Sequence, residues 1–207
     1  MTPRRTTRRG AAGCVRRGGV GAVVLALVLL ACAPEARAES FRLVLDPAAT
    51  EISFTLGARL HTVHGRFALA AGELVFDPET GAASGEIRVD ARSGDTGIAR
   101  RDRVMHEEVL DSAHHPLLVL RPERIEVKRR SADALAGTLF GSMEVRGASH
   151  PLALAFDGVR SAGRARVTVT FAVPWVAWGL PNPSNLILRV DDTLAVEVSA
   201  VGTLATE

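Results

Sequence analysis

From Phe41 onward, apolar and polar side chains alternate with a period of two. Phe41, Leu43 and Leu45 alternate with Arg42 and Val44, and Ile52, Phe54 and Leu56 with Glu51, Ser53 and Thr55. Ile87, Val89 and Ala91 stand between Glu86, Arg88 and Asp90. Late in the chain, Val167, Val169, Phe171 and Val173 face away from Arg166, Thr168 and Thr170, and Leu194, Val196, Val198 and Ala200 oppose Glu197 and Ser199. Such a period predicts strands with one dry and one wet face, as in antiparallel sheets. Turn signals separate them at Asp46-Pro47, Asp77-Pro78 with Gly81, Arg121-Pro122, Gly147 and Gly163. Many short strands at this spacing predict one all-β barrel or sandwich over about residues 41–201.

One stretch breaks the alternation. Thr96-Gly97-Ile98-Ala99-Arg100-Arg101-Asp102-Arg103-Val104-Met105-His106 reads as a helix start, and a single main helix is predicted over 98–110. Asp95 or Thr96 is positioned to cap its first turn, and Gly97 lets the chain enter it. On a helical period Ile98, Asp102, Met105 and Val109 share a face. Asp102 then needs an Arg or backbone N–H partner, and Arg101 with Asp102 reads as a structural ion pair in a connector helix. His114-His115-Pro116 forces an extended exit.

The N-terminal 38 residues are read as a targeting signal and set apart from the fold. Arg4, Arg5, Arg8, Arg9, Arg16 and Arg17 precede an apolar run at 20–31, which is too short to span a bilayer comfortably. Ala36-Arg37-Ala38 fits a cleavage site that leaves Glu39 as the new N-terminus. Leu29-Leu30-Ala31-Cys32 fits a lipoprotein signal over 1–31, with Cys32 lipidated. The arginine pairs also hint at twin-arginine export, without a full motif. Removing the leader takes seven of 25 basic residues and one of 23 acidic ones, leaving 18 against 22 and a net charge of −4. Nucleic-acid binding thus has no electrostatic support. Both cysteines, Cys14 and Cys32, fall within this leader, so the 39–207 domain depends on its core rather than on a disulfide.

Catalytic chemistry is not legible. Gly141-Ser142-Met143-Glu144 lacks the second glycine of a nucleophile elbow, and no glycine-rich phosphate loop occurs. His61 and His64, three apart on a strand, point to opposite faces, and His114 and His115 diverge. No catalytic residue, metal ligand or cofactor is assigned, and no enzyme activity is expected. Trp175 and Trp178 lie between Pro174 and a loop carrying Pro181 and Pro183, which suits a barrel mouth, a membrane interface or an indole plugging the barrel end.

The helix segment, followed by Val109-Leu110-Asp111-Ser112 and His115-Pro116-Leu117-Leu118-Val119-Leu120, resembles the YceI-like family of periplasmic lipid- or polyisoprenoid-binding proteins. The likeness extends to Leu60-His61-Thr62-Val63-His64-Gly65-Arg66-Phe67, to Gly72-Glu73-Leu74-Val75-Phe76-Asp77-Pro78, to Phe140-Gly141-Ser142-Met143-Glu144-Val145-Arg146-Gly147 and to Val190-Asp191-Asp192. Where family members often carry two aromatics before the histidine-proline pair, this chain has Val109 and Leu110.

The resemblance implies a lipocalin-like, extended antiparallel eight-stranded β-barrel with an apolar interior. It implies carriage or sequestration of a long apolar molecule, such as a polyisoprenoid, quinone or fatty amide, in the periplasm or on a lipidated tether facing it. Candidate lining residues are Phe54, Phe67, Phe76, Ile87, Leu154, Phe156, Val169, Phe171 and Val196, with Trp175 and Trp178 at the end. Ordinary core packing is the competing reading for each. Two other functions stay open: an envelope structural, assembly or stress protein with no ligand, and an accessory to membrane redox enzymes that binds quinone or haem. A homodimer is compatible with all of them.

Overall fold

The computed structural model describes residues 39–58, 62–183 and 190–207. The leader, Cys32, both cleavage sites and His61 lie outside the described residues. Among those described there are nine strands: β1 (Phe41–Leu45), β2 (Glu51–Ala58), β3 (Val63–Phe76), β4 (Ala83–Asp95), β5 (Leu117–Arg130), β6 (Ala134–Val145), β7 (Ala148–Ser161), β8 (Arg164–Val173) and β9 (Val190–Thr206). All pairings are antiparallel, in the meander β2-β3-β4-β5-β6-β7-β8-β9, which closes when β9 returns to β2.

The ninth strand does not add a ninth stave. β1 pairs with β3 through Phe41↔Phe76 and with β9 through Phe41↔Thr206, while β2 pairs with the same two strands through Ile52↔Phe67 and Ile52↔Val198. They are two halves of one stave, broken where Asp46 accepts a bond from the Ala48 N–H (3.0 Å) and Pro47 opens a single 3-10 turn. The molecule is therefore a closed eight-stranded barrel. Its 14-residue strands β3, β5 and β7, at ~3.3 Å per residue and a typical tilt of ~40°, give a length of roughly 35 Å.

The period-two reading of β1, β2, β4, β8 and β9 matches the side chains that face inward. Leu43, Leu45, Phe54, Ala91, Val196 and Ala200 are buried, and Val44 is exposed. Gly147 and Gly163 complete two-residue hairpins, Arg146-Gly147 and Ala162-Gly163, with all four φ values positive, as a hairpin matching the strand twist requires. Arg121-Pro122, by contrast, is not a turn. It lies inside β5, where the register with β6 shifts between Pro122 and Arg124. A proline has no N–H for the ladder, so it is tolerated where a bulge already interrupts pairing.

The predicted helix is present as α1 (Ala99–Val104), which widens into a π-turn over Met105–Val109. Its start differs from the expectation. Neither Asp95 nor Thr96 caps it; Ile98 is the capping position, with extended backbone and no side-chain bond. Ile98 is therefore off the helical period and exposed, rather than on the shared face. Gly97 does take a left-handed φ of 75°, held by its N–H on Asp95 Oδ1 at 2.8 Å.

Three turn carboxylates tie the ends of the barrel. Hydrogen bonds from Thr80 and the Glu79 N–H hold Asp77 below the usual carboxylate range, the Gly97 N–H and Arg66 do so for Asp95, and His114 does so for Asp111. Each folded value is lower than that of the unfolded chain, so the unfolded chain takes up protons first as pH falls. Their contribution is complete above the ordinary value of 3.8 and is lost as pH drops through the folded values. Urea midpoints taken between pH 6 and pH 3 should fall steepest below pH 4, and Asp77→Asn should flatten that slope. An unchanged slope would assign the acid sensitivity to other groups.

Candidate ligand-binding cavity

The barrel's two ends are built differently. At one, the loops are short: the β3–β4 turn, the β5–β6 and β7–β8 connections and the start of β1. The other carries α1, the Arg146-Gly147 hairpin and the β8–β9 loop with both tryptophans.

Four contacts seat the helix on its end. His106 bridges the Gly94 carbonyl (Nε2, 2.9 Å) and the Ser112 hydroxyl (Nδ1, 3.1 Å). Arg146 Nη1 donates to the carbonyls of Glu108 (3.0 Å) and Val109 (3.2 Å) at the helix terminus. β4 bulges at this point, where Arg66 pairs with Asp95 and Ala68 already with Asp90. A Cβ on Gly94 would lie 2.7 Å from both Met105 Cε and Phe67 Cε1, so this glycine is the niche that admits the Met105 side chain.

Trp175 packs at this end. It is buried with Leu110, Val145 and Leu180, and its indole N–H donates to the Asp191 carbonyl at 3.0 Å. Trp178 is half-buried and lies parallel to the His150 ring at 4.5 Å.

Between the ends runs a cavity of about 790 Å³, within the range of small-molecule sites. Spread along a barrel of roughly 35 Å, this is a passage about one hydrocarbon chain wide. Apart from Thr50, Thr96 and Arg101, the wall between the ends is almost wholly aliphatic and aromatic. At the short-turn end the lining passes to exposed Glu39, Ser131, Ala132 and Asp133, which makes a mouth there.

Phe54, Phe67, Phe76, Ile87, Leu154, Phe156, Val169, Phe171, Val196, Trp175 and Trp178 all border this cavity. Phe76 is stacked on Phe41 at 5.6 Å, and Phe54 leans on Phe67 at 5.3 Å. Sequence reasoning missed the contribution of β5 and β6, including Leu118, Leu120, Ile125, Leu139 and Met143. On β5 the signal was present but out of phase: even-numbered Leu118 and Leu120 face inward before the Pro122 bulge, and odd-numbered Ile125 after it.

The expected Arg101–Asp102 ion pair is not formed; Thr96 stands between the two. Asp102 Oδ1 accepts from the Thr96 N–H (2.9 Å) and from the Thr96 hydroxyl. Arg101 donates from Nε to Thr96 Oγ1 (2.8 Å) and from Nη2 to the Thr96 carbonyl (3.0 Å). The need of Asp102 for a partner is met by a backbone N–H and a hydroxyl, and Arg101 is turned onto the cavity wall. Neighbours in sequence on a helix diverge by about 100°, so adjacent charges are poorly placed to pair.

The histidines are dispersed. His64 bonds Thr55 Oγ1 (3.1 Å), His114 bonds Asp111 (2.7 Å), His106 holds the helix and His150 the Trp178 ring. Among the described residues no cluster of three metal-ligating side chains occurs.

A family model described as the YceI-like domain matches residues 43–202. No curated protein sequence matches. Among solved structures, BcnA of Burkholderia cenocepacia is similar at a TM-score of 0.61 and 15% identity, over 77% of this chain and 99% of that one. A polyisoprenoid binding domain from Saccharophagus degradans, implicated in plant cell wall breakdown, is similar at 0.60 and 13%, over 79% and 98%. The YceI protein of Campylobacter jejuni follows at 0.57 and 14%, over 72% and 87%. At these identities the likeness is one of fold.

Proposed function

The chain belongs to the YceI-like domain family, and from that premise we propose that it binds, without catalysis, a long apolar molecule along the axis of its barrel. The observation that carries this reading is the continuous apolar cavity, one chain wide and open at the short-turn end. The Saccharophagus degradans neighbour, described as a polyisoprenoid binding domain, supports the ligand class. A polyisoprenoid, a quinone tail or a fatty amide would each fit such a bore. Burial of about ten methylenes at about 0.8 kcal/mol each offers roughly 8 kcal/mol gross, the equivalent of micromolar binding before ordering costs are subtracted. A chain longer than about ten carbons is therefore needed to keep that affinity. The N-terminal leader supports export to the cell envelope, with Glu39 or a lipidated Cys32 as the first residue after cleavage. Either route delivers the barrel to the side where membrane lipids are at hand.

Protein purified without detergent should retain apolar material, read by solvent extraction and mass spectrometry. Absence of any bound lipid, together with failure to bind isoprenoids or quinones, would remove this function. It would leave an envelope assembly role, or, if a visible absorption band is present, a haem accessory.

A further inference from the structure

We propose that Arg101 is a head-group anchor, and that the ligand lies with an anionic, oxygen-bearing head at the helix-capped end and its tail toward the short-turn mouth. This rests on the barrel being a binder of apolar chains, and adds which chains it selects and which way they lie.

Five charged residues line the cavity: Glu39, Arg101, Arg130, Asp133 and Arg160. Four of them stand at the mouth, two of each sign. There Arg130 is committed to Glu79, and Arg160 Nε to the Ala132 carbonyl at 2.7 Å. Arg101 stands at the opposite end, where Asp102 reaches it only through the shared Thr96 hydroxyl, and among the described residues it forms no ion pair. Its guanidinium is half-buried and oriented in advance. Nε and Nη2 are held on Thr96, whose hydroxyl and N–H are fixed in turn on Asp102. Nη1 has no protein acceptor among the described residues, so donors remain to spare at the end of an apolar bore.

A planar guanidinium placed in this way suits a phosphate or carboxylate, which accepts charge-assisted bonds from two N–H groups together. A neutral alcohol would return only part of the hydration that the cation has given up. The buried Trp175 and Leu110, which also line the cavity at this end, lower the local polarity and strengthen the preference.

Matched pairs of ligands test the proposal: geranylgeranyl phosphate against geranylgeraniol, and palmitate against palmityl alcohol, each displacing an apolar fluorophore at pH 7.5. The wild-type protein should bind at least one anion about tenfold more tightly than its alcohol, or better. The pair with the larger ratio identifies phosphate or carboxylate as the head. Arg101→Met should bind both alcohols as the wild type does and lose the preference, while Arg101→Lys keeps part of it. Equal binding within both wild-type pairs overturns the proposal and leaves the chain-binding reading standing. So does a preference that survives Arg101→Met but disappears in Arg130→Met or Arg160→Met, which would put the head at the mouth. An equal loss for anions and alcohols in Arg101→Met also overturns it, since that is a structural effect. Should the methionine variant not fold, the wild-type ratios and the lysine variant decide. Failure of all four compounds to bind wild-type protein would overturn the chain-binding reading itself.

Discussion

Val169→Trp is expected to empty the barrel of chain-like ligand while the fold persists. Val169 lies inward on β8, flanked by Phe156 of β7 and Val198 of β9, and all three border the cavity. The bore is about one chain wide, so an indole on its wall occupies the room of several methylenes. Excluding only two of them costs about 1.6 kcal/mol, already more than tenfold in affinity. Folding should suffer less, because the new ring enters open space instead of a close-packed core, and overpacking penalties of about 1–3 kcal/mol arise where no such space exists. Val44→Trp is the control. Val44 is exposed on the outer face of β1, and an indole there should leave lipid retention unchanged. Comparing extractable lipid per mole of the two variants reads the result. Full retention in Val169→Trp would mean that the ligand does not run along the axis.

The inward face was legible from alternation where a strand is continuous and one face stays dry, and the reading of that face as a ligand lining came from the family resemblance. On β8, Val167, Val169, Phe171 and Val173 keep one phase from end to end, and all four reach the cavity. β5 was illegible for the opposite reason. Pro122 looks like a turn when read locally, and only its pairing with Gly141 across the sheet shows it to be a bulge that shifts the phase. Arg101 was misjudged for a related reason: adjacency in sequence suggested a pair with Asp102, whereas Thr96 five residues earlier takes both. The break between β1 and β2 was visible as Asp46-Pro47, but only closure of the barrel shows that the two strands share a stave. What stayed hidden in each case depends on a partner distant in sequence or on the three-dimensional path of the chain.

The same distance effect predicts a large loss of stability at Gly141. A Cβ built on this residue of β6 would lie 2.2 Å from the Arg121 carbonyl oxygen and 3.0 Å from Pro122 Cα, both backbone atoms of β5. β5 has little room to retreat, because Leu120 and Val119 are paired on its other side with Ile87 and Arg88 of β4. Gly137 repeats the arrangement four residues earlier, with its Cβ position 2.1 Å from the Glu126 carbonyl beside the second register shift of β5. The two glycines thus admit the closest approaches of β5 to β6, where bulges coil the strand to close the barrel. Gly141→Ala should cost about 3 kcal/mol, the upper part of the overpacking range. Gly163→Ala separates this contact from a backbone effect. Gly163 has a left-handed φ of 75° and nothing within 4 Å of its Cβ position, so its loss should be only about 1 kcal/mol of conformational strain. Chemical denaturation of the two variants side by side measures the difference. A loss at Gly141 no larger than that at Gly163 would mean that β5 moves aside cheaply, and that the coil of the barrel is set elsewhere.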